Sequence, residues 1–160
     1  MLRLAMRKLR TFFALDSVDK LASIEAMALL LLTKMMVLRV PPRRWKDHFG
    51  AINAVESAAA DIATVRRVRL AIQRALGNVP GSPNCLPQAL TAHRMLKRRG
   101  IDARLYLGTM RDEAGALHFH AWLKVGEEWV TGLCNEDAYT LMLPDGTGNA
   151  WQDSTATLAP

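Results

Sequence analysis

Cys85 and His120 are the residues whose types and settings suggest covalent chemistry. Cys85 lies in Pro83 to Gly100, PNCLPQALTAHRMLKRRG, where a turn-rich loop gives way to an amphipathic helix. His120 lies in Leu117 to Val130, LHFHAWLKVGEEWV, at the head of a hairpin. A helix N-terminus presents unpaired backbone N–H groups and the positive end of the macrodipole, which biases a thiol placed there toward the reactive thiolate. An imidazole within reach would serve as its base. Alternation along the strand places His118 on the same face as His120, so spacing alone does not choose between them. The bland alternative is a small buried hydrophobe and a satisfied core histidine. Cys85, His118, His120 and Cys134 could in principle form a four-ligand zinc set, but the two cysteines lack the close paired spacing of such sites. No metal and no cofactor is expected. GxxxxGK[ST] is absent, so no nucleotide site is assigned.

The helix that must carry Cys85 has agreeing signals at both ends. Pro87 falls in the first turn, where its missing N–H costs nothing, and Gly100 follows a basic Lys97-Arg98-Arg99 end. Leu86, Ala89, Leu90, His93 and Leu96 or Met95 form its buried stripe. GNVPGSPN, from Gly77 to Asn84, is a surface loop that delivers the cysteine. Beyond Gly100 the period becomes alternating, predicting a strand from Ala103 to about Thr109, then a hairpin turning at Gly126-Glu127. Counted back from that turn, Trp122 faces Thr131, Ala121 faces Gly132 and His120 faces Leu133. Tyr139 to Leu143 reads as a further short strand.

Upstream, Met1 to Ala14 reads as a short basic helix. Asp16 or Ser17 caps a second, strongly apolar helix that continues to about Val40 before Pro41 and Pro42 stop it. Glu25, Lys34 and Arg39 interrupt that apolar run, so it is expected to be a core or partner-binding helix, and membrane contact is not expected. A weaker helix is expected around Trp45 to Gly50, and an amphipathic one from about Val55 to Leu76. The fold class is therefore α+β in one domain spanning 1–160: helical residues 1–76, a catalytic core at 77–143 and a polar tail at 144–160.

The chain has 160 residues and a formal net charge of +6. Its basic clusters interleave with apolar residues at helical spacing and read as solvated helix faces, and no recognition-helix or zinc-finger pattern supports a nucleic-acid partner. Two cysteines and no export signal at the N-terminus lead to an expected cytoplasmic location.

The order of these parts resembles the transglutaminase-like cysteine peptidase superfamily. More narrowly, CLPQAL, LKRRGIDARLYLG and FHAWLKV resemble the stand-alone leader peptidase of lasso-peptide biosynthesis, the maturation "B" protein. The resemblance implies a transglutaminase/papain-like core and a cysteine protease that removes the leader from a ribosomally made precursor peptide. Cys85 matches its nucleophile and His120, in His-Ala-Trp, its base. The return strand of that family carries an aspartate near the histidine, whereas Thr131, Gly132 and Leu133 occupy those places here. Asn135 or Asp137 is then the expected third member. The implied partners are the precursor's leader, a separate leader-recognition protein and the lasso cyclase. Two other readings fit the same residues: an acyltransferase or amidase using the same pair, and a catalytically dead module that binds the precursor.

Overall fold

The computed structural model describes residues 12–41, 44 and 61–142. The expected helix around Trp45 to Gly50 and the polar tail lie outside the described residues, and only residues 12–14 of the expected first helix lie within them.

Among the described residues, three helices of more than two turns and one antiparallel sheet make an α+β fold. The first helix, α1 (Ser17–Arg39), is capped by Asp16, whose carboxylate accepts from Asp19 N at 2.6 Å. The second, α2 (Ile62–Leu76), is capped by Asp61, which accepts from Ala63 N and from the Thr64 hydroxyl. The expected start at about Val55 lies outside the described residues; within them the helix begins after Asp61. Apolar spacing extends further upstream, but Asp61 takes extended backbone angles and its side chain ties up the first free amides, ending the helix there. The third, α3 (Cys85–Lys97), has Asn84 as N-cap, and Gly100 follows it with a φ of +70°. Its stripe is as expected at Ala89 and Leu90, and both Met95 and Leu96 are buried.

The strands are β1 (Arg104–Arg111), β2 (Leu117–Val125), β3 (Glu128–Thr131) and β4 (Thr140–Leu141), in the order β3-β2-β1-β4. Leu105, Leu107, Ala121, Leu123, Val125 and Val130 join residues of all three helices in one apolar core. Helix α3 packs on β1, β2 and β3, with α1 and α2 against it. In α1 the buried stripe is Ala22, Ala26, Leu29, Leu30 and Thr33, while Leu21, Leu32 and Leu38 are exposed. By length and composition this helix could cross a membrane, and 33% of its most apolar window is buried.

The hairpin register departs from the simple count. Val125 faces Glu128 and Lys124 faces Trp129, but Leu123 then faces Thr131. An extra residue, Val130, is accommodated as a β-bulge, so the count from the turn is one out for every residue beyond it. Regular pairing between β2 and β3 ends at Thr131, before reaching His120.

Candidate active site

The loop into Cys85 is held from below. Lys34 Nζ, on α1, donates to the carbonyls of Pro80 at 2.6 Å and Gly81 at 2.8 Å. Gly81 and Ser82 both have positive φ, at 65° and 25°. A Cβ on Gly81 would lie 2.7 Å from Lys34 Nζ, so glycine serves both the backbone and the lysine here. Three further contacts fix the start of α3. Gln88 Nε2 donates to Pro83 O at 2.7 Å, and the buried Thr33 hydroxyl reaches Pro87 O at 3.2 Å and Thr91 Oγ1 at 2.9 Å. Cys85 is a free, half-buried thiol at the head of this anchored helix and packs against the apolar core.

Strand alternation sends Ala121, Leu123 and Val125 to the helix side of the sheet, and His120, Trp122 and Lys124 to the other. The second side has its own layer. Trp122 is fully buried there, stacked on Tyr106 at 5.5 Å with an interplanar angle of 8°. The His120 ring lies 5.8 Å from Trp122 and 5.4 Å from Tyr139. Gly108, opposite His120 on β1, makes room for this packing, since a Cβ there would lie 2.9 Å from the Trp122 ring and 3.0 Å from Tyr139 Cβ.

His120 Nε2 is 2.9 Å from the carbonyl oxygen of Gly132. A carbonyl only accepts, so Nε2 carries the proton and the lone pair of the neutral ring sits on Nδ1. Helical cover of β2 ends at this point: Ala121 is 1% exposed and Phe119 is 49% exposed. Among the described residues no hydrogen bond joins His120 to Cys85, and the ring lies on the face of the sheet away from the helix that carries the thiol.

The other candidates are placed differently. His118 is exposed and pairs with Asp112 at 2.7 Å, and that bond holds the Asp112 carboxyl below its ordinary value. Asn135 and Asp137 are both exposed, Asn135 just before a single 3-10 turn (Glu136–Ala138) and Asp137 within it. Among the described residues neither makes a side-chain hydrogen bond. The carboxylate of that turn that faces inward is Glu136, which accepts from Trp122 Nε1 at 2.8 Å and Lys124 Nζ at 3.1 Å. Burial and then the Glu136 charge push the Cys134 thiol above its ordinary value; Lys124 offsets this in part, and the net effect disfavours the thiolate. Among the described residues no three His, Cys, Asp or Glu side chains are grouped to hold a metal ion.

Glu136 has no signal of its own in the sequence, where Gly132 stands only as a hairpin position and Tyr139 as the start of a strand. Gly132 carried a usable signal, because a glycine at the end of a strand pattern marks close backbone approach.

A cysteine at the head of the helix packed on an antiparallel sheet, and a histidine at the emerging end of the sheet's central hairpin, form a recognisable arrangement. A family model of the transglutaminase-like superfamily matches residues 27–143, well over half of the chain. The chain belongs to the transglutaminase-like superfamily. No curated protein and no solved structure matches it. The transglutaminase-like match begins within α1 and runs through β4, so it covers the helices that support α3 as well as the strands. This superfamily includes cysteine peptidases, which is the general class of thiol chemistry that the chain's membership supports.

Proposed function

We propose that this transglutaminase-like protein is a cysteine peptidase that removes the leader from a ribosomally synthesised precursor peptide in lasso-peptide maturation. The observation that carries the reading is the placement of Cys85 as the first residue of α3, in a loop fixed by Lys34 and Gln88. The free amides of that turn favour the thiolate and offer donors for an oxyanion.

In this reading His120 and Cys85 act as an imidazolium–thiolate pair. The thiolate sulfur attacks the scissile carbonyl carbon, and the oxyanion is held by amides of the first turn. His120 gives its proton to the leaving amine as the C–N bond breaks. Water, deprotonated by His120, then attacks the thioester and releases the leader as a carboxylic acid with the thiol restored. The proposed partners are the precursor's leader, a separate leader-recognition protein that presents it, and the cyclase that takes the core peptide; the proposed location is the cytoplasm. The family match supports the thiol class, and the motif resemblance supports the peptide substrate.

The test is to incubate the protein with precursor and recognition protein in oxygen-labelled water. Label in the leader's new carboxylate, lost in Cys85→Ala, is the expected result. A stable peptide–amine adduct would replace proteolysis with acyl transfer. Equal inertness of wild type and Cys85→Ala, with binding of the precursor retained, would make the protein an escort module.

A further inference from the structure

We propose that the backbone carbonyl of Gly132, rather than a side chain, is the acceptor that orients His120 for its work on the Cys85 thiol. The proposal rests on the peptidase reading above and concerns the third member of its site.

The first support is the contact itself, His120 Nε2 to Gly132 O at 2.9 Å. It fixes the tautomer with the proton on Nε2, leaving Nδ1 as the basic atom, and it restrains rotation of the ring. The second is the backbone that delivers the carbonyl. Gly132 has a φ of +73°, and a Cβ on it would lie 2.5 Å from Ala121 O and 2.8 Å from Trp122 Cβ. Only glycine lets the chain lie this close to β2 in that conformation. The bulge just before it ends regular pairing, so this carbonyl is free to meet a side chain rather than a ladder partner.

The third support is where the nearby polar side chains are engaged. Asn135 and Asp137 are exposed, while both Glu136 oxygens are taken, by Trp122 and Lys124. Glu136 thus steadies the indole on which the His120 ring stacks, with Tyr139 on the ring's other contact. The ring is held by one neutral acceptor and two aromatic neighbours. A neutral carbonyl fixes orientation as a carboxylate does, but it stabilises the imidazolium less.

The experiment uses the full chain carrying Cys134→Ala, so that Cys85 is its single thiol. Nitrogen NMR of the His120 ring should show hydrogen on Nε2 whether the ring is ion-paired or neutral. Replacing Leu133 by its α-hydroxy acid turns the Gly132 carbonyl into an ester carbonyl, a weaker acceptor, with every side chain kept. Alkylation of Cys85 by iodoacetamide at neutral pH should then slow about tenfold, the worth of one hydrogen bond to a charged group. A neutral tautomer with hydrogen on Nδ1, or an ester variant with unchanged alkylation, overturns the proposal. So does Asn135→Ala or Asp137→Ala releasing the His120 tautomer, which would place the orienter there and leave the peptidase reading standing. If Cys85→Ala still cleaves precursor, the assignment of Cys85 as nucleophile fails, and the orienting role fails with it.

Discussion

The indole N–H of Trp122 donates to Glu136 Oε1 at 2.8 Å, tying the segment after β3 to the centre of β2. The other oxygen of the same carboxylate holds Lys124, whose side chain is only 11% exposed. Two cross-links from one residue thus fasten the layer that supports His120.

Glu136→Ala removes both and leaves the indole N–H and a mostly covered ammonium without their partner. A loss of about 1–3 kcal/mol is expected in urea unfolding, from partners left unsatisfied. Glu136→Gln keeps an acceptor for the indole and should recover part of it. If the residue acts on His120 through Trp122, the Ala variant should also lower kcat with little change in KM. Equal stability of wild type and Glu136→Ala would show that the carboxylate holds nothing in solution.

Gly108→Ala tests the packing on the same face. The added methyl would sit 2.9 Å from the Trp122 ring and 3.0 Å from Tyr139 Cβ, so the ring, the tyrosine or β4 must shift. Overpacking of this kind typically costs about 1–3 kcal/mol. Thermal melting should drop accordingly, with β1 still paired to β2. A variant as stable as wild type would mean that Trp122 has room the structure does not show.

The parts legible in the sequence are those whose signals are local. Pro87 in the first turn and Gly100 after the last bracket α3, so the setting of Cys85 could be read with its boundaries. The α+β class followed from the change of period after Gly100. What failed to appear depends on contacts between distant backbones. The bulge at Val130 exists because of how β3 packs, and a count from Gly126-Glu127 cannot register it. The partner of His120 is a carbonyl, a group every residue carries, so a search for side chains turned to Asn135 and Asp137 instead. The cap at Asp61 that opens α2 is likewise a matter of backbone angles and side-chain contacts that apolar spacing does not carry.

Thr33 and Thr91 couple α1 to the helix that carries Cys85. Their hydroxyls are 2.9 Å apart and buried, and Thr33 also reaches carbonyls of Leu29, Leu30 and Pro87. Thr33→Val should cost about 1–3 kcal/mol because it strands the Thr91 hydroxyl in an apolar layer. With Thr91→Val added, the total should be smaller than the sum of the single losses, since no hydroxyl is then left without its partner. Strict additivity in a double-mutant cycle would show that the two do not interact.

Glu25 gives the fold a specific acid sensitivity. It accepts from Arg98 Nη1 at 3.0 Å and Arg99 Nη2 at 2.7 Å, clasping α1 to the C-terminal end of α3. Burial pushes its carboxyl up, but the hydrogen bonds from Arg99 and then Arg98 outweigh it, and the net pKa lies below the ordinary 4.5. A carboxyl depressed on folding contributes its stability in full above the unfolded pKa and loses it as pH falls through the lower folded value. Glu25→Gln keeps the shape and removes the charge. At neutral pH the variant should melt below wild type, and the gap should close once the pH falls below 4.5 and through the folded pKa. Thermal melts across that range decide it. A gap that stays constant into acid would mean that the two arginines hold Glu25 by shape and neutral hydrogen bonding, with no part played by its ionisation.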